Sequence, residues 1–308
     1  FEGPVIAAAG MNTAMWGNSY VKKNWNTIKK NPNVLCLNPA TGLLACDRIG
    51  DGRMADPELI ELAIKNCKIQ IEKYGVLNKG LEGLNILVSA GPTKESIDPA
   101  RVITNQSTGR MGVLIAQAAS FRGAKVRLVH GPLDLPNAWL EGLERDEIAT
   151  AEEMQTILQK NQKRFDALIM AAAIADLRVK GGIAKRKANK KSLLRILGDS
   201  LEEVPDLLKE LVKRKPPRQI LLGFAALSGS DQEILLAGKA KKNFKGCDLL
   251  MANPIDRNDQ GFGNKPNGGF LIGPDEKVQI IPKTSKIELA HQLIDSLTEI
   301  YKNISLKI

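Results

Sequence analysis

Apolar residues along this chain fall into short unbroken runs, separated by longer stretches in which they return every three or four positions. The first pattern suits buried strands and the second amphipathic helices. Residues 4–9 form an apolar run that ends in a polar turn at Asn12; 16–30 mixes apolar and basic positions at helical spacing, and 33–37 reads as a second strand. A glycine-punctuated loop, TGLLACDRIGDGRMADP at 41–57, comes next, and its closing Asp56-Pro57 predicts a helix start leading into 58–73. Residues 74–83 (YGVLNKGLEG) have the composition of a linker. The expected boundary therefore lies near residue 80, between a small α/β unit at 1–80 and a larger one at 81–308.

The larger unit alternates more regularly. Strands are expected at NILVSA, KVRLVHG, DALIMAAAIA, QILLGFAAL and DLLMANPI, with helices at VLIAQAASFRG, AEEMQTILQKNQKRF, VPDLLKELVKR and DQEILLAGKAKKNFKG between them. A hairpin, GGFLIGPDEKVQIIP, and a last helix, SKIELAHQLIDSLTEIYKN, close the chain. Short apolar strands alternating with helices predict an α/β fold, a doubly wound, Rossmann-like parallel sheet with right-handed crossovers. Ligands in such sheets bind beyond the carboxyl ends of the strands, so the loops that follow strands are where chemistry belongs.

Composition narrows the partners. With 308 residues and 43% hydrophobic content the chain can bury a sizeable core, which excludes a disordered tail or a disulfide-stapled miniprotein. Lys and Arg exceed Asp and Glu by 44 to 34, and the net charge of +10 favours nucleic acid, acidic lipid or a phosphorylated small molecule. At 4% aromatic content there are few rings on which to stack single-stranded bases, which counts against nucleic acid. Cys36, Cys46, Cys67 and Cys247 make no CxxC pair and His130 and His291 lie far from them, so neither a zinc cluster nor a disulfide framework is expected, and no metal ligands are assigned. No stretch has the roughly 18–20 uninterrupted apolar residues of a membrane helix and FEGPVIAAAG lacks a basic leader, so a soluble cytoplasmic protein is expected. Phe1 opens directly on an apolar run, as a strand entered midway would, and an upstream portion is expected.

Several loops could carry chemistry. STGRMG at 107–112 opens a helix, whose N–H groups with Ser107 and Thr108 could hold a phosphate; an ordinary cap with a glycine turn at Gly109 is the alternative. AAAIAD at 171–176 places small residues beside Asp176, either for a flat ring to approach or for a helix to pack. VKGGIAKRKANKK gathers Lys180, Lys185, Arg186, Lys187, Lys190 and Lys191 in one glycine-containing loop, fit for a charged transition state or simply solvated. Lys241 and Lys245 stand four apart on one helix and could reach one phosphate chain or face water. Cys46 lies between glycines near Arg48 and Arg53, which would lower its thiol pKa and could hold an anion; an inert cysteine is the alternative.

In order along the chain these stretches resemble the bacterial bifunctional flavoproteins of coenzyme A synthesis, in which phosphopantothenoylcysteine decarboxylase is fused to phosphopantothenate–cysteine ligase. SAGPTKESIDPARVITNQSTGRMG resembles the ligase signature AGPTxExIDPVRxITNxSSGKMG, AAAIAD its AAVAD, and LLGFAA its GFAAET strand. KAKKNFKGCDLLMANP is similar to KxxxKxxDxIVAN, and QGFGNKPN to the GFxSDxN turn. In the first 80 residues GMNTAMW is similar to PAMNxxMW, and GLLACDRIGDGRMADP to the clamp GxLACGxxGxGRMxEP, as in the back half of a flavoprotein decarboxylase domain. The family's flavin-binding front half, with its catalytic histidine, has no counterpart here.

The resemblance implies a ligase that activates the carboxylate of 4'-phosphopantothenate with CTP and Mg²⁺, giving an acyl-cytidylate and pyrophosphate, before the amine of cysteine displaces CMP. It implies that Asn105 holds the acyl-cytidylate, that Asp176 and the Ala172 backbone read cytosine, and that Phe224 lines the nucleotide pocket. Ser107 and Thr108 would bind phosphate beside Gly109, Lys241 and Lys245 the triphosphate, and Lys185 would match the mobile lysine of the family's KIKK. That motif is KRKA here, one residue closer to Asp176, so Lys187 is a rival. For the decarboxylase it implies Cys46 as catalytic cysteine, with Asn12, Arg53 and Met54 at the substrate and FMN as cofactor. Departures are Leu227 for the glutamate of GFAAET, Arg110 in STGRMG, AGMN for PAMN and Asp47 for the glycine after Cys46. The last two, with the missing front half, carry the decarboxylase less far than the ligase, and flavin is not expected to be retained. A homo-oligomer, the ligase dimer, is expected, with trimeric contacts left open. A nicotinamide dehydrogenase would need a glycine fingerprint that AGPTKE does not supply, and a nucleic-acid-binding protein would share only the charge.

Overall fold

The computed structural model describes residues 3–44, 48–182 and 186–305 and divides into two compact units. The first comprises Phe1–Leu84, Gln117–Lys125 and Pro136–Glu144, and the second Asn85–Ala116, Val126–Leu135 and Arg145–Ile308. In the first unit β1 (Val5–Ala8) and β2 (Val34–Leu37) pair in parallel, Val5 opposite Val34. The stretch expected as one helix over 16–30 is two, α1 (Thr13–Gly17) and α2 (Ser19–Lys29). Asn18 between them is extended at ψ 133°, and its side chain accepts from the Tyr20 N–H. An asparagine that caps the second helix must leave the first, so the apolar period runs on while the backbone does not. Buried Trp16 and Trp25 meet edge to face at 5.8 Å.

The glycine-punctuated loop contains an antiparallel pair, β3 (Ala40–Leu43) and β4 (Ile49–Arg53). Its glycines hid the alternation that marks a strand. Gly52 has φ 130°, and a Cβ there would sit 2.1 Å from the Met11 carbonyl oxygen, so the arm lies against the turn after β1 only with glycine at this place. As expected, α3 (Pro57–Tyr74) starts with Asp56 as N-cap and proline in its first turn; it ends at left-handed Gly75.

After α3 the chain forms β5 (Asn85–Ala90) and a hairpin, β6 (Lys94–Asp98) and β7 (Arg101–Thr104), then α4 (Arg110–Phe121), β8 (Lys125–His130) and β9 (Glu144–Glu147). After α5 (Ala151–Asn161) come β10 (Ala167–Met170), β11 (Leu177–Val179), α6 (Lys190–Asp199), β12 (Leu201–Glu203) and α7 (Leu207–Lys213). The chain finishes with β13 (Ile220–Leu227), α8 (Asp231–Lys245), β14 (Leu249–Pro254), β15 (Asn267–Ile272), β16 (Val278–Thr284) and α9 (Lys286–Ser305). Eight strands form one sheet in the order β16-β15-β14-β13-β10-β5-β8-β9. β5, β10, β13 and β14 run parallel, and the β15–β16 hairpin adds antiparallel strands at one edge. The doubly wound α/β reading therefore holds. The chain moves to β8 on one side of β5 and returns to β10 on the other, which makes the carboxyl ends of β5 and β10 the switch point.

Met154 and Leu158 of α5, Leu208 and Leu211 of α7, and Leu168, Leu221 and Leu250 of the sheet form a buried core cluster on one face. Complete capping boxes, Thr150 with Glu153 and Ser230 with Glu233, start α5 and α8. Two expectations need correction. The strand expected through 175 stops at Met170, after which AAAIAD leaves the sheet; the stretch expected as a basic loop contains β11, α6 and β12. No helix among the described residues is long and apolar enough to cross a membrane.

Candidate functional site

A cavity of about 750 Å³ lies at the switch point of the second unit. Its walls are the start of α4 with the residues before it, the AAAIAD segment, the start of α7, the end of β13, one face of α8, and the 261–263 turn. These segments are stitched together locally. Ala173 N–H donates to the Gly91 carbonyl at 2.9 Å and Thr93 N–H to that of Ala173 at 3.1 Å. Thr93 Oγ1 accepts from Ala175 N–H at 2.9 Å, and Asn105 Nδ2 donates to the Ile174 carbonyl at 2.8 Å. AAAIAD thus leaves β10 because its backbone is satisfied by AGPT and by Asn105, not by a neighbouring strand.

The turn into α4 depends on Gly109, whose φ is 78° and where a Cβ would meet Leu133 Cδ2 at 2.1 Å. Arg110 and Met111, which begin α4, line the cavity with Ser107 and Thr108, and the first N–H groups of a helix have no partner within it. Arg110, Lys241, Lys245 and Lys286 line the same volume, against the carboxylates of Asp176, Glu203 and Asp206. Lys245 donates to Asp206 at 2.9 Å, while the other oxygen of Asp206 caps α7 at the Lys209 N–H. Burial raises the Asp206 pKa, but these donors outweigh it and hold the carboxyl below its ordinary value. Asp176 is exposed, and its carbonyl accepts from Val204 N–H.

The basic segment is anchored at its far end. Asp98, fully buried at its side chain, accepts from the backbone N–H groups of Ala100 and Ala188 and from Arg101, which also donates to the Ala188 carbonyl. Desolvation pushes the Asp98 pKa up, and the three donors with the charge of Arg101 bring it below the ordinary value. Lys187 is exposed one residue before this anchor and does not line the cavity. Lys185 lies outside the described residues, as does Cys46.

In the first unit the turn after β1 and the end of β4 come together: Met11 N–H donates to the Gly52 carbonyl at 2.9 Å, and Gly10 lies against Met54. Asn12 spends its side-chain oxygen on the Met15 N–H, as the cap of α1. Arg53 pairs with Asp56 and, at 3.0 Å, with Glu141; Met54 is half exposed. Burial, and after it the charge of Asp56, pushes the Glu141 pKa up. A shallow groove in this unit is lined by Pro4, Ile6, Ile64, Cys67, Lys68, Ile71 and Glu72, from one strand and the middle of one helix.

The family model for the DNA/pantothenate metabolism flavoprotein C-terminal domain matches residues 81–301, and the flavoprotein family model matches 2–67. The Coenzyme A biosynthesis bifunctional protein CoaBC of Vibrio parahaemolyticus is 34% identical over 301 residues, 97% of this chain and 71% of that protein. That of Bacillus subtilis is 32% identical over 302 residues, 97% and 70%. The chain belongs to this family. It is thereby an enzyme of coenzyme A biosynthesis, of the phosphopantothenate–cysteine ligase and phosphopantothenoylcysteine decarboxylase type. The crystal structure of a CoaBC C-terminal domain matches at TM-score 0.59 and 28% identity, over 73% of this chain and 100% of that one. The DNA/pantothenate metabolism flavoprotein from Streptococcus pneumoniae matches in fold, at TM-score 0.55 and 20% identity over 70% of this chain and 99% of that one.

The cavity brings together Asn105, Ser107, Thr108, Gly109, Ala172, Asp176, Phe224, Lys241 and Lys245, which come from positions between 105 and 245 of the sequence. Sequence reasoning missed Arg110 and Lys286 in the cavity wall, and the Asp98–Arg101 anchor. Arg110 stands inside STGRMG and registered only as a departure from lysine. Lys286, one basic residue at the start of a long helix, gives no local signal.

Proposed function

We propose that the cavity of the second unit is a CTP-dependent phosphopantothenate–cysteine ligase site. The observation that carries the reading is the convergence on one cavity of a helix N-terminus, Lys241 and Lys245, an arginine and a small-residue wall from separate sequence segments. A carboxylate and a triphosphate repel each other, and the cations with the α4 N–H groups offset that repulsion. Cytosine stacks against Phe224 and is read by Asp176 and the Ala172 backbone. A carboxylate oxygen of 4'-phosphopantothenate attacks the α-phosphorus, the bond to the β,γ-diphosphate breaks, and pyrophosphate leaves. Cysteine's amine then attacks the acyl carbon, losing a proton as CMP departs with the oxygen. Asn105, its Nδ2 tied to Ile174, is fixed where it can hold the acyl-cytidylate. Lys185 or Lys187 enters from the basic segment.

Mg²⁺ would come with the nucleotide: no group of three or more His, Cys, Asp or Glu among the described residues could hold a metal, so no step is routed through one. The groove of the first unit is chiefly apolar and no helix start opens on it, so those residues do not fit a flavin mononucleotide phosphate, and no decarboxylase step is derived.

The test is release of CMP and pyrophosphate from CTP, Mg²⁺ and 4'-phosphopantothenate, with and without cysteine, beside parallel reactions with ATP, GTP and UTP. Cysteine-dependent CMP is expected with CTP. No CMP under any condition, or equal turnover of all four nucleotides, would sink the reading.

A further inference from the structure

Lys286 is the first residue of α9, where the positive end of the helix dipole disfavours a cation. It is 8% exposed, and its neighbour in the cavity wall is another cation, Arg110. Three unfavourable circumstances at one side chain call for a compensating role. The compensation is visible in the hydrogen bonds. Nζ donates to the carbonyls of Gly261 at 2.6 Å, Gly263 at 3.0 Å and Lys265 at 2.5 Å. An ammonium has three N–H donors and no acceptor, so all three are spent and none is left for a phosphate.

We propose that Lys286 is a positioning residue: its buried ammonium holds the 261–266 loop in the cavity wall, shaping the ligase site without touching substrate. The loop is closed across its base by Gly261 N–H to the Pro266 carbonyl at 3.0 Å. Its Gly261 and Gly263 adopt positive φ, 127° and 67°, so its own backbone preference is weak and an internal cation supplies the order. Gly261, Phe262 and Gly263 form part of the cavity lining, so a change in the loop changes the site. Burial, and after it the charge of Arg110, pushes the Lys286 pKa down to about 8. A neutral amine has only two donors for the three carbonyls, which makes the hold pH-dependent just above neutrality. The charged groups around it are Arg110 with Asp134 beyond it, Lys265 in the loop, the Asp259–Lys283 pair, and Glu288, which is turned to Thr284 and Ser285.

The kinetic part rests on the ligase reading; the loop part does not. Hydrogen exchange of the ligand-free chain would be compared between the natural protein and Lys286→Met. Amides at 261–265 are expected to exchange about tenfold faster in the variant, with those of α9 beyond its first turn unchanged. In the ligase assay the KM for CTP should rise about tenfold while kcat stays within about threefold. Between pH 7 and 9.5 that KM should climb in the natural protein and stay flat in the variant. Lys286→Gln, which keeps two donors, should fall between them, and it serves as the readout should Lys286→Met unfold. Unchanged loop exchange, faster exchange spread over the whole chain in both variants, or identical KM and pH profiles would overturn the assignment. Failure of the natural protein to use CTP would instead overturn the ligase reading and leave the exchange result standing.

Discussion

Arg53 in the first unit and Lys245 in the second are both half-buried cations held by carboxylates, and each came to notice beside residues that resemble a family motif. Their surroundings differ. Arg53 has two carboxylates, Asp56 and Glu141, and Asn12 is occupied as a helix cap, so the polar groups of that region close on one another. Lys245 has one carboxylate, and the cavity it lines holds four cationic side chains, Arg110, Lys241, Lys245 and Lys286, against the three carboxylates of Asp176, Glu203 and Asp206. A region whose charges are satisfied internally is built for stability. One whose cations outnumber the carboxylates lining the same cavity suits an anion.

Substitutions can break this contrast, and the largest effect is expected at Asn105. Asn105→Asp sets a carboxylate against the Ile174 carbonyl in place of a donor, and steady-state CMP release with cysteine should fall about 100-fold. CTP binding by calorimetry should change little, and unimpaired turnover would remove Asn105 from the mechanism. Next is Asp98→Asn, which frees the Ala188 end of the basic segment; kcat should fall about tenfold as the segment loses its register. Equal kcat would mean that the lysines of that segment act without a fixed base.

Within α8 the two lysines should separate. Lys241→Met should weaken CTP binding about tenfold and leave denaturant stability alone, while Lys245→Met should also cost about 1 kcal/mol, since it strips Asp206 of its partner. If both variants lose only affinity, the Lys245–Asp206 pair is replaced by nucleotide in the working enzyme. The smallest effect belongs to the first unit: Arg53→Met should lower stability by about 1 kcal/mol or less and leave ligation unchanged. A loss of ligase activity in Arg53→Met would erase the distinction between the regions.

Much of the second unit was legible in advance, because β5, β13, β14, α8 and α9 each carry an apolar period long enough to read. Elements built from glycine and charge were not. The β3–β4 arm contains Gly42, Gly50 and Gly52, and α6 buries none of its residues, so neither shows the periodicity of a packed element. β6 and β7 were read as loop because Thr, Asn and Asp around them signal turns. The candidate site was legible where its residues stand in contiguous motifs, as Asn105 to Gly109 do. Arg101 and Lys286 act on segments 87 and 21–25 residues away, and no local pattern records such a partner.

The sequence by itself determined the alternation of strands and helices, the excess of cations and the motifs that tie this chain to its family, because each is a property of neighbouring residues. Only the tertiary structure decided which charges are consumed and which remain to face a ligand. That outcome depends on distance and burial: Lys245 meets Asp206 across 39 residues, and Lys286 meets three carbonyls of one loop. Spacing along a chain does not report how far apart its charges end up in the fold.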